Sequence, residues 1–178
     1  MRPARRLLAA VFATLALGAC EEEQLAVAAN EFMQGIDAPV VFGMVSYITA
    51  NGVREGRVQA DTAFTFADST KVDLRVMVVT FYDESGRERA TVRGRTGEWN
   101  QETDRMVARG DVELYIHTDS STLRSQEIYY DSDRIWSDSA TVRTLANGTV
   151  TRGSAFESDV EFTNVRILNV RGDAGRIF

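Results

Sequence analysis

The sequence predicts an all-β domain built as an antiparallel meander, and two features carry this prediction. The stretch from Val58 to Val170 repeats one short β pattern about three times, with a unit of roughly thirty residues. Each unit reads as an alternating strand, a turn and a second alternating strand. After Val45, no segment has the period of an amphipathic helix, so strands joined by tight turns are expected throughout.

The repeat is clearest in two copies. They run from Thr91 to Met106 and from Thr122 to Ile135, and each places an aromatic residue and an acidic or amide turn between its two strands. The dipeptides Ser85-Gly86 and Asn147-Gly148 are typical of hairpin turns. Stacked hairpins of one kind predict an elongated sheet with a continuous inner face.

Alternation of apolar and polar residues predicts which side chains form that inner face. Between Met106 and Ile116 the even positions are apolar or glycine and most odd positions are polar, which indicates one dry and one wet face. The same reasoning assigns eight further residues to the inner face: Val58, Ala60, Phe64, Phe66, Val72, Leu74, Val76 and Val78. The parity changes between Phe162 and Val165, which predicts a bulge there. Two curved sheets or one strongly twisted sheet would place these residues inside.

The N-terminus predicts an exported, lipid-anchored protein. Three arginines precede the apolar run from Leu7 to Leu17, which is too short to span a bilayer comfortably, and the sequence Leu17-Gly18-Ala19-Cys20 follows. Cys20 lies where bacterial lipoproteins are cleaved and acylated, so residues 1–19 are predicted as a signal peptide and Cys20 as the lipidation site. Residues 20–44 are predicted as the lipidated N-terminus and tether, and residues 45–178 as the folded domain.

Charge and residue inventory exclude several classes of function. Without the three leader arginines, 17 cationic residues face 26 acidic ones, a formal charge of −9. No Lys/Arg-rich tract is present, so nucleic acid is not an expected partner. The only histidine, His117, falls on the polar side of its strand, and no nucleophile elbow, phosphate loop or metal-spaced His/Cys cluster appears. We therefore expect no catalytic residues, no metal and no cofactor.

Several motifs, taken in order, resemble one family. They include the strand from Val76 to Tyr82 with its Asp-Glu-Ser-Gly turn, Trp99-Asn100, Gly110-Asp111-Val112 and Tyr130-Asp131. In this order and spacing the chain resembles the LptC-type periplasmic component of lipopolysaccharide export, over roughly Val45 to Val170. The family often carries an uncleaved transmembrane helix, whereas this chain has the lipidation pattern at Cys20.

The resemblance implies a single open β-jellyroll of antiparallel strands, also called a β-taco, that is not an enzyme. Its hydrophobic groove would carry the lipid A acyl chains of lipopolysaccharide from inner-membrane ABC transporter subunits to a periplasmic bridge protein of the same fold. The protein would then lie on the periplasmic side of the inner membrane, held by its lipid anchor. The groove candidates are Phe64, Phe66, Val76, Val78, Trp99, Leu114, Ile116, Tyr129, Phe156 and Phe162.

Relay to a neighbour of the same fold requires open sheet edges. The front edge is expected at Val45–Ala50 and the back edge at Phe162–Val170, with Val45, Tyr47, Val165 and Ile167 as candidate contacts. Alternation alone favours a different interpretation of the apolar face, in which it is a filled core. The alternative function is then a β-structured lipoprotein scaffold that binds another envelope protein or polymer.

Overall fold

The structure is a computed structural model that describes residues 39–50, 52–66 and 69–171. The described residues form strands and turns, and they contain no helix that is long and apolar enough to cross a membrane. The predicted signal peptide, Cys20 and most of the predicted tether lie outside the described residues. The strands are β1 (Val40–Ala50), β2 (Val53–Thr65), β3 (Lys71–Tyr82), β4 (Glu88–Asn100), β5 (Met106–Ile116), β6 (Ser121–Asp131), β7 (Arg134–Ser137), β8 (Thr141–Thr144), β9 (Val150–Gly153), β10 (Ala155–Asp159) and β11 (Arg166–Leu168).

The strands form one antiparallel sheet that begins as a meander. Strands β1 to β7 pair in chain order, and the path continues through β10 to β11. Strand β6 pairs with β7 along its C-terminal part and with β8 along its N-terminal part, and β9 pairs with β8. The predicted all-β fold, an open antiparallel sheet consistent with a β-jellyroll, is confirmed.

A row of irregular positions crosses the six long strands. It passes through Gly43, Asp61, Val76, Arg95, Gly110-Asp111 and Gln126, which are the positions skipped by the pairing registers. Four of these residues have positive φ angles, namely Gly43, Val76, Gly110 and Asp111. The register shifts at the row only where β5 meets β4 and β6, so β5 carries a β-bulge there, and the other strands cross the row without an extra residue. A bulge and positive-φ positions bend a strand, so the row bends the sheet along one line. We call this row the bulge row.

The bulge row curves the sheet toward its buried face. In β3, both Arg75 and Val76 are exposed and lie between the buried side chains of Leu74 and Met77. Strands β2 and β6 likewise place two consecutive residues outside at the row. The outer surface of each strand is therefore longer than its inner surface, which makes the inner side concave.

The concave side closes on itself and holds the core. The ring centroids of Phe81 on β3 and Tyr130 on β6 are 5.1 Å apart, although these two strands are not neighbours in the sheet. Phe162, in the turn region after β10, also contacts Phe81, at 5.8 Å. One hydrophobic cluster joins residues from β1 to β7, β10 and this turn.

Two expected boundaries differ from the structure. The first strand begins at Val40 rather than Val45, because residues 40–44 pair with the C-terminal part of β2. The last strand is Arg166–Leu168 rather than Phe162–Val170, since Asp159 caps a turn there with hydrogen bonds to the backbone N–H groups of Thr163 and Asn164. Phe162, with φ of 58°, therefore lies in a turn and not at a strand bulge.

Candidate functional site

The concave interior is the main apolar feature of the described residues. The largest side chains with less than 2% exposure include Leu74, Leu114, Ile116, Leu123, Ile135 and Phe156. The buried polar side chains of the described residues are all Ser or Thr, so no charged residue is buried there. Ser125 and Ser137 satisfy each other through a 2.8 Å hydrogen bond. The interior is thus dry, uncharged and filled by the protein's own side chains.

Five of the ten groove candidates lie in this interior. They are Trp99, Leu114, Ile116, Phe156 and Phe162, with exposures between 0% and 6%. Trp99 Nε1 also donates a 3.4 Å hydrogen bond to Asp104 Oδ1, which satisfies its polar group at the end of β4.

The other five candidates lie elsewhere, and their assignment to the inner face was wrong. They are Phe64, Phe66, Val76, Val78 and Tyr129. On β3, Val78 pairs with Gln59 and Arg93, whereas its neighbours Met77 and Val79 are buried. The reason is the positive φ at Val76, where Arg75 and Val76 both face outward, so the two faces are exchanged for the rest of the strand.

Two of the misassigned aromatic residues have partners on the outer face. The guanidinium of Arg75 lies 5.5 Å from the ring centre of Phe64. Tyr129 stacks on Trp136 at 5.4 Å, and Arg134 covers the Trp136 ring at 4.0 Å. Arginine over an aromatic ring is attracted by the ring quadrupole, so these aromatic residues are stabilised outside the core. Phe66 lies beyond the end of β2 and is 43% exposed.

Sequence reasoning missed the inner residues that follow the bulge row. Ala63, Met77, Val79 and Phe81 are buried at positions that uninterrupted alternation assigns to the outside. Glycine at positions 43 and 110 is the one sequence signal of the bulge row, because glycine readily adopts positive φ. Valine at position 76 carries no such signal.

A cavity of about 640 Å³ opens at one end of the interior. Phe81, Tyr130 and Val160 line it together with the charged side chains of Arg54, Glu55, Asp83, Glu84, Arg89 and Glu161. Burial raises the pKa of Tyr130 to about 12, and nearby carboxylates, Glu55 first among them, contribute to the same shift. Tyr130 is therefore neutral at physiological pH, and the cavity presents an apolar aromatic surface beside charged side chains.

The two ends of the sheet path are edges within the described residues. Strand β1 pairs only with β2, and its outward side chains Val45 and Tyr47 are 52% and 48% exposed. At the other end β11 pairs with β10, and Val165 and Ile167 pack partly buried against the core. Strand β1 therefore offers both an unpaired backbone and apolar side chains, whereas β11 offers mainly its backbone.

The described residues show no arrangement for metal binding, since no group of three or more His, Cys, Asp or Glu side chains could hold an ion. His117 Nε2 lies 3.2 Å from Thr91 Oγ1 and 3.7 Å from Glu88, and its ring contacts Tyr115 edge-on. His117 is exposed in the turn after β5 rather than on the strand, and these are contacts at the surface of the sheet.

Comparison with known proteins places the chain in a family. No curated protein matches it. The model of a family described as lipopolysaccharide-assembly, LptC-related, matches residues 8–174. This match covers nearly the whole chain, and it agrees with the open antiparallel sheet and its apolar interior. The chain therefore belongs to the LptC-related family, whose members are non-enzymatic components of lipopolysaccharide transport.

Proposed function

We propose that the protein holds the acyl chains of lipopolysaccharide in the concave interior of its sheet and passes them from an inner-membrane ABC transporter to a periplasmic bridge. Membership of the family places it in lipopolysaccharide transport, associated with the inner membrane on the periplasmic side. The observation that carries the finer proposal is the apolar interior, to which all of the long strands contribute and in which no described charged residue is buried.

Binding of acyl chains needs no catalytic group. Each CH2 removed from water contributes about 0.8 kcal/mol, so a lipid with several acyl chains is held by burial alone. The phosphorylated sugars of such a lipid would stay in water outside the interior, because burial of unpaired charge is costly. The absence of buried charge among the described interior residues suits a ligand whose buried part is entirely hydrocarbon.

The relay is proposed to use the edges of the sheet. A neighbour of the same fold that pairs with β1 or β11 would continue the sheet and its apolar side into the next protein. Exposed edge strands are usually protected in monomers. Strand β1 contains no proline and no charged residue, so it lacks two common forms of protection.

The anchor is proposed to be a lipid on Cys20. Mass spectrometry of the protein from membranes should find a mature N-terminus at Cys20 that carries acyl groups. Cys20→Ala should leave an uncleaved or mislocalised chain. A mature N-terminus at another residue would contradict this part of the proposal.

The groove is tested by photo-crosslinking with matched aromatic positions. A photoreactive phenylalanine derivative at Trp99 or Phe156 lies in the interior, and the same derivative at Phe64 or Tyr129 lies outside. We expect lipopolysaccharide adducts in cells at the two inner positions, formed only when the transporter is supplied with energy. Equal yields at all four positions, or none, would contradict the carrier.

The β1 edge is tested by proline. Adjacent residues of an antiparallel edge strand direct their backbone groups alternately to the paired and to the free side. One of the two variants Val45→Pro and Ser46→Pro should therefore remove a backbone hydrogen bond to β2 and lower the stability of the protein. The other should leave a folded protein that no longer captures a partner. If both folded variants capture partners normally, β1 is not the junction.

A second candidate function follows from the filled interior. The largest inner side chains are less than 2% exposed, as in an ordinary core. A filled core of this kind is sufficient for a lipoprotein scaffold that binds another envelope protein or polymer and carries no lipid. Absence of adducts at Trp99 and Phe156, together with partner loss in a β1 proline variant, would support the scaffold.

A further inference from the structure

The segment between β10 and β11 closes one end of the interior with a single aromatic side chain. Phe162 is 6% exposed and belongs to the core cluster, although its backbone lies in a turn. Its ring contacts Phe81 edge-on at 5.8 Å, and Phe81 in turn contacts Tyr130. The preceding residues Val160 and Glu161 line the cavity that opens beside these rings. We call residues 160–165 the lid loop.

Apart from Phe162 and the partly buried Val165, polar contacts hold the lid loop. The carboxylate of Asp159 accepts hydrogen bonds from the backbone N–H of Thr163 at 2.8 Å and from Asn164 Nδ2 at 2.7 Å. Burial alone would raise the pKa of Asp159, but the hydrogen bonds from Thr163 and Asn164 outweigh it and lower the pKa, so this cap is ionised at neutral pH.

Two arginines from other strands fasten the ends of the lid loop. Arg89 on β4 donates a 3.1 Å hydrogen bond to the Val160 carbonyl and forms a 3.5 Å ion pair with Glu161. Arg143 on β8 donates a 3.3 Å hydrogen bond to the Val165 carbonyl. Both arginine side chains are only 18% exposed, whereas the Glu161 side chain is 56% exposed.

The backbone of Phe162 stores strain in the closed position. Its φ of 58° lies in the left-handed region, which bulky side chains rarely adopt. Such a conformation persists only where the surroundings impose it. Here the hydrogen bonds accepted by Asp159, the burial of the ring and the two arginine contacts hold it. The closed loop therefore combines a buried ring with a strained backbone.

We propose that the lid loop is a gate to the interior, with Phe162 as its plug, and that it opens to admit an acyl chain. This inference rests on the proposed carrier function. It accounts for a filled interior in a lipid carrier, because the plug occupies space beside the cavity that an acyl chain would take. Loss of either the plug or its fastening should then ease lipid entry.

The test uses the full chain in membrane vesicles with a photoreactive residue at Trp99. Arg89→Met removes the hydrogen bond to the Val160 carbonyl and the ion pair with Glu161, and Phe162→Ala removes the plug. Arg124→Met is the matched control, because it also removes an arginine ion pair, to Glu113, but on the outer face where 71% of the arginine side chain is exposed. We expect about threefold more lipopolysaccharide adduct for both lid variants and no change for the control.

A second measurement reports the loop directly. Hydrogen exchange of the peptide that spans residues 160–165 should be faster in Arg89→Met than in Arg124→Met, and it remains informative if Phe162→Ala does not fold. Wild-type adducts without an increase in the lid variants would overturn the gate and leave the carrier in place. Unchanged exchange in Arg89→Met would also overturn the gate. No adduct in any form would overturn the carrier and the gate together.

Discussion

The inner and outer faces of the same sheet are stabilised in different ways. The inner face consists of aliphatic and aromatic side chains with a few Ser and Thr and, among the described residues, no buried charge. The outer face carries cross-strand ion pairs, such as Arg124 with Glu113 and Arg95 with Asp111, both at 2.7 Å. Exposed pairs of this kind contribute about 0–1 kcal/mol each. Because these ion pairs contribute so little, most of the stability of the sheet comes from burial of the inner face.

Aromatic residues occur on both faces, so residue type alone does not identify the interior. Phe156 is 1% exposed inside, whereas Phe64 lies outside beneath Arg75. The bulge row explains the position of Phe64, because β2 exchanges its faces where it crosses the row. Strands β3, β4 and β6 do the same, whereas β5 keeps its even positions inside. Four pairs of substitutions test this comparison, from the largest expected effect to the smallest.

Alanine substitutions of Phe156 and Phe64 should differ most in their effect on the free energy of unfolding. Phe156→Ala leaves a cavity in the filled core and should lower the free energy of unfolding by about 3–5 kcal/mol. Phe64→Ala should cost about 1 kcal/mol, since it removes a cation–π contact and partial burial. Denaturant unfolding of both variants checks the difference. Similar costs would mean that Phe64 also packs in the core.

Val78 and Val79 test the exchange of faces on β3 at one-residue resolution. Val79 is 2% exposed and inside, and Val78 is its neighbour on the other face. We expect Val79→Ala to cost about 2 kcal/mol, because two methyl groups leave the core, and Val78→Ala to cost less than about 1 kcal/mol. The reverse order in thermal unfolding would indicate alternation without this exchange.

The bulge row itself should yield a stabilising substitution. Val76 is 56% exposed and has φ of 49°, a conformation that costs a β-branched residue about 1–3 kcal/mol. Asparagine tolerates this region, so Val76→Asn should raise the free energy of unfolding by about 1 kcal/mol. The control Val78→Asn makes the same chemical change on the same strand away from the positive φ, and it should not stabilise.

The smallest effect concerns a turn on the polar side and depends on pH. Asp83 accepts hydrogen bonds from the Ser85 hydroxyl and from the backbone N–H of Arg87, which lower its pKa to about 2. A lowered folded-state pKa contributes stability above the ordinary value of 3.8, and this contribution is lost as the pH falls toward 2.

Asp83→Asn should therefore lower the melting temperature slightly at pH 7, and the difference should shrink as the pH falls through about 2. Glu84→Gln, next to it in the turn, leaves the Asp83 hydrogen bonds intact and is the control. If the difference in melting temperature between Asp83→Asn and the wild type does not shrink between pH 4 and pH 2, the proposed role of the carboxylate is contradicted.

Where alternation continues through a strand, the sequence predicted the interior correctly. The even positions of β5 from Val112 to Ile116 are buried as expected, and Gly110 marks the interruption in that strand. On β3 the expectation was correct for Val72 and Leu74 and failed from Val76 onward. The exchange of faces at Val76 has no local signature, because it is imposed by the neighbouring strands that bend along the same line.

The sequence by itself determined the fold class, the meander order of strands β1 to β7 and, through its motifs, the LptC-related family. These follow from period-two alternation and turn dipeptides, which act over a few residues and are visible in one chain. Only the tertiary structure decided which apolar residues face inward, where the last strand lies and that Phe162 closes the interior. These depend on the pairing registers of six strands and on packing between β3, β6 and the lid loop, which join residues far apart in the chain.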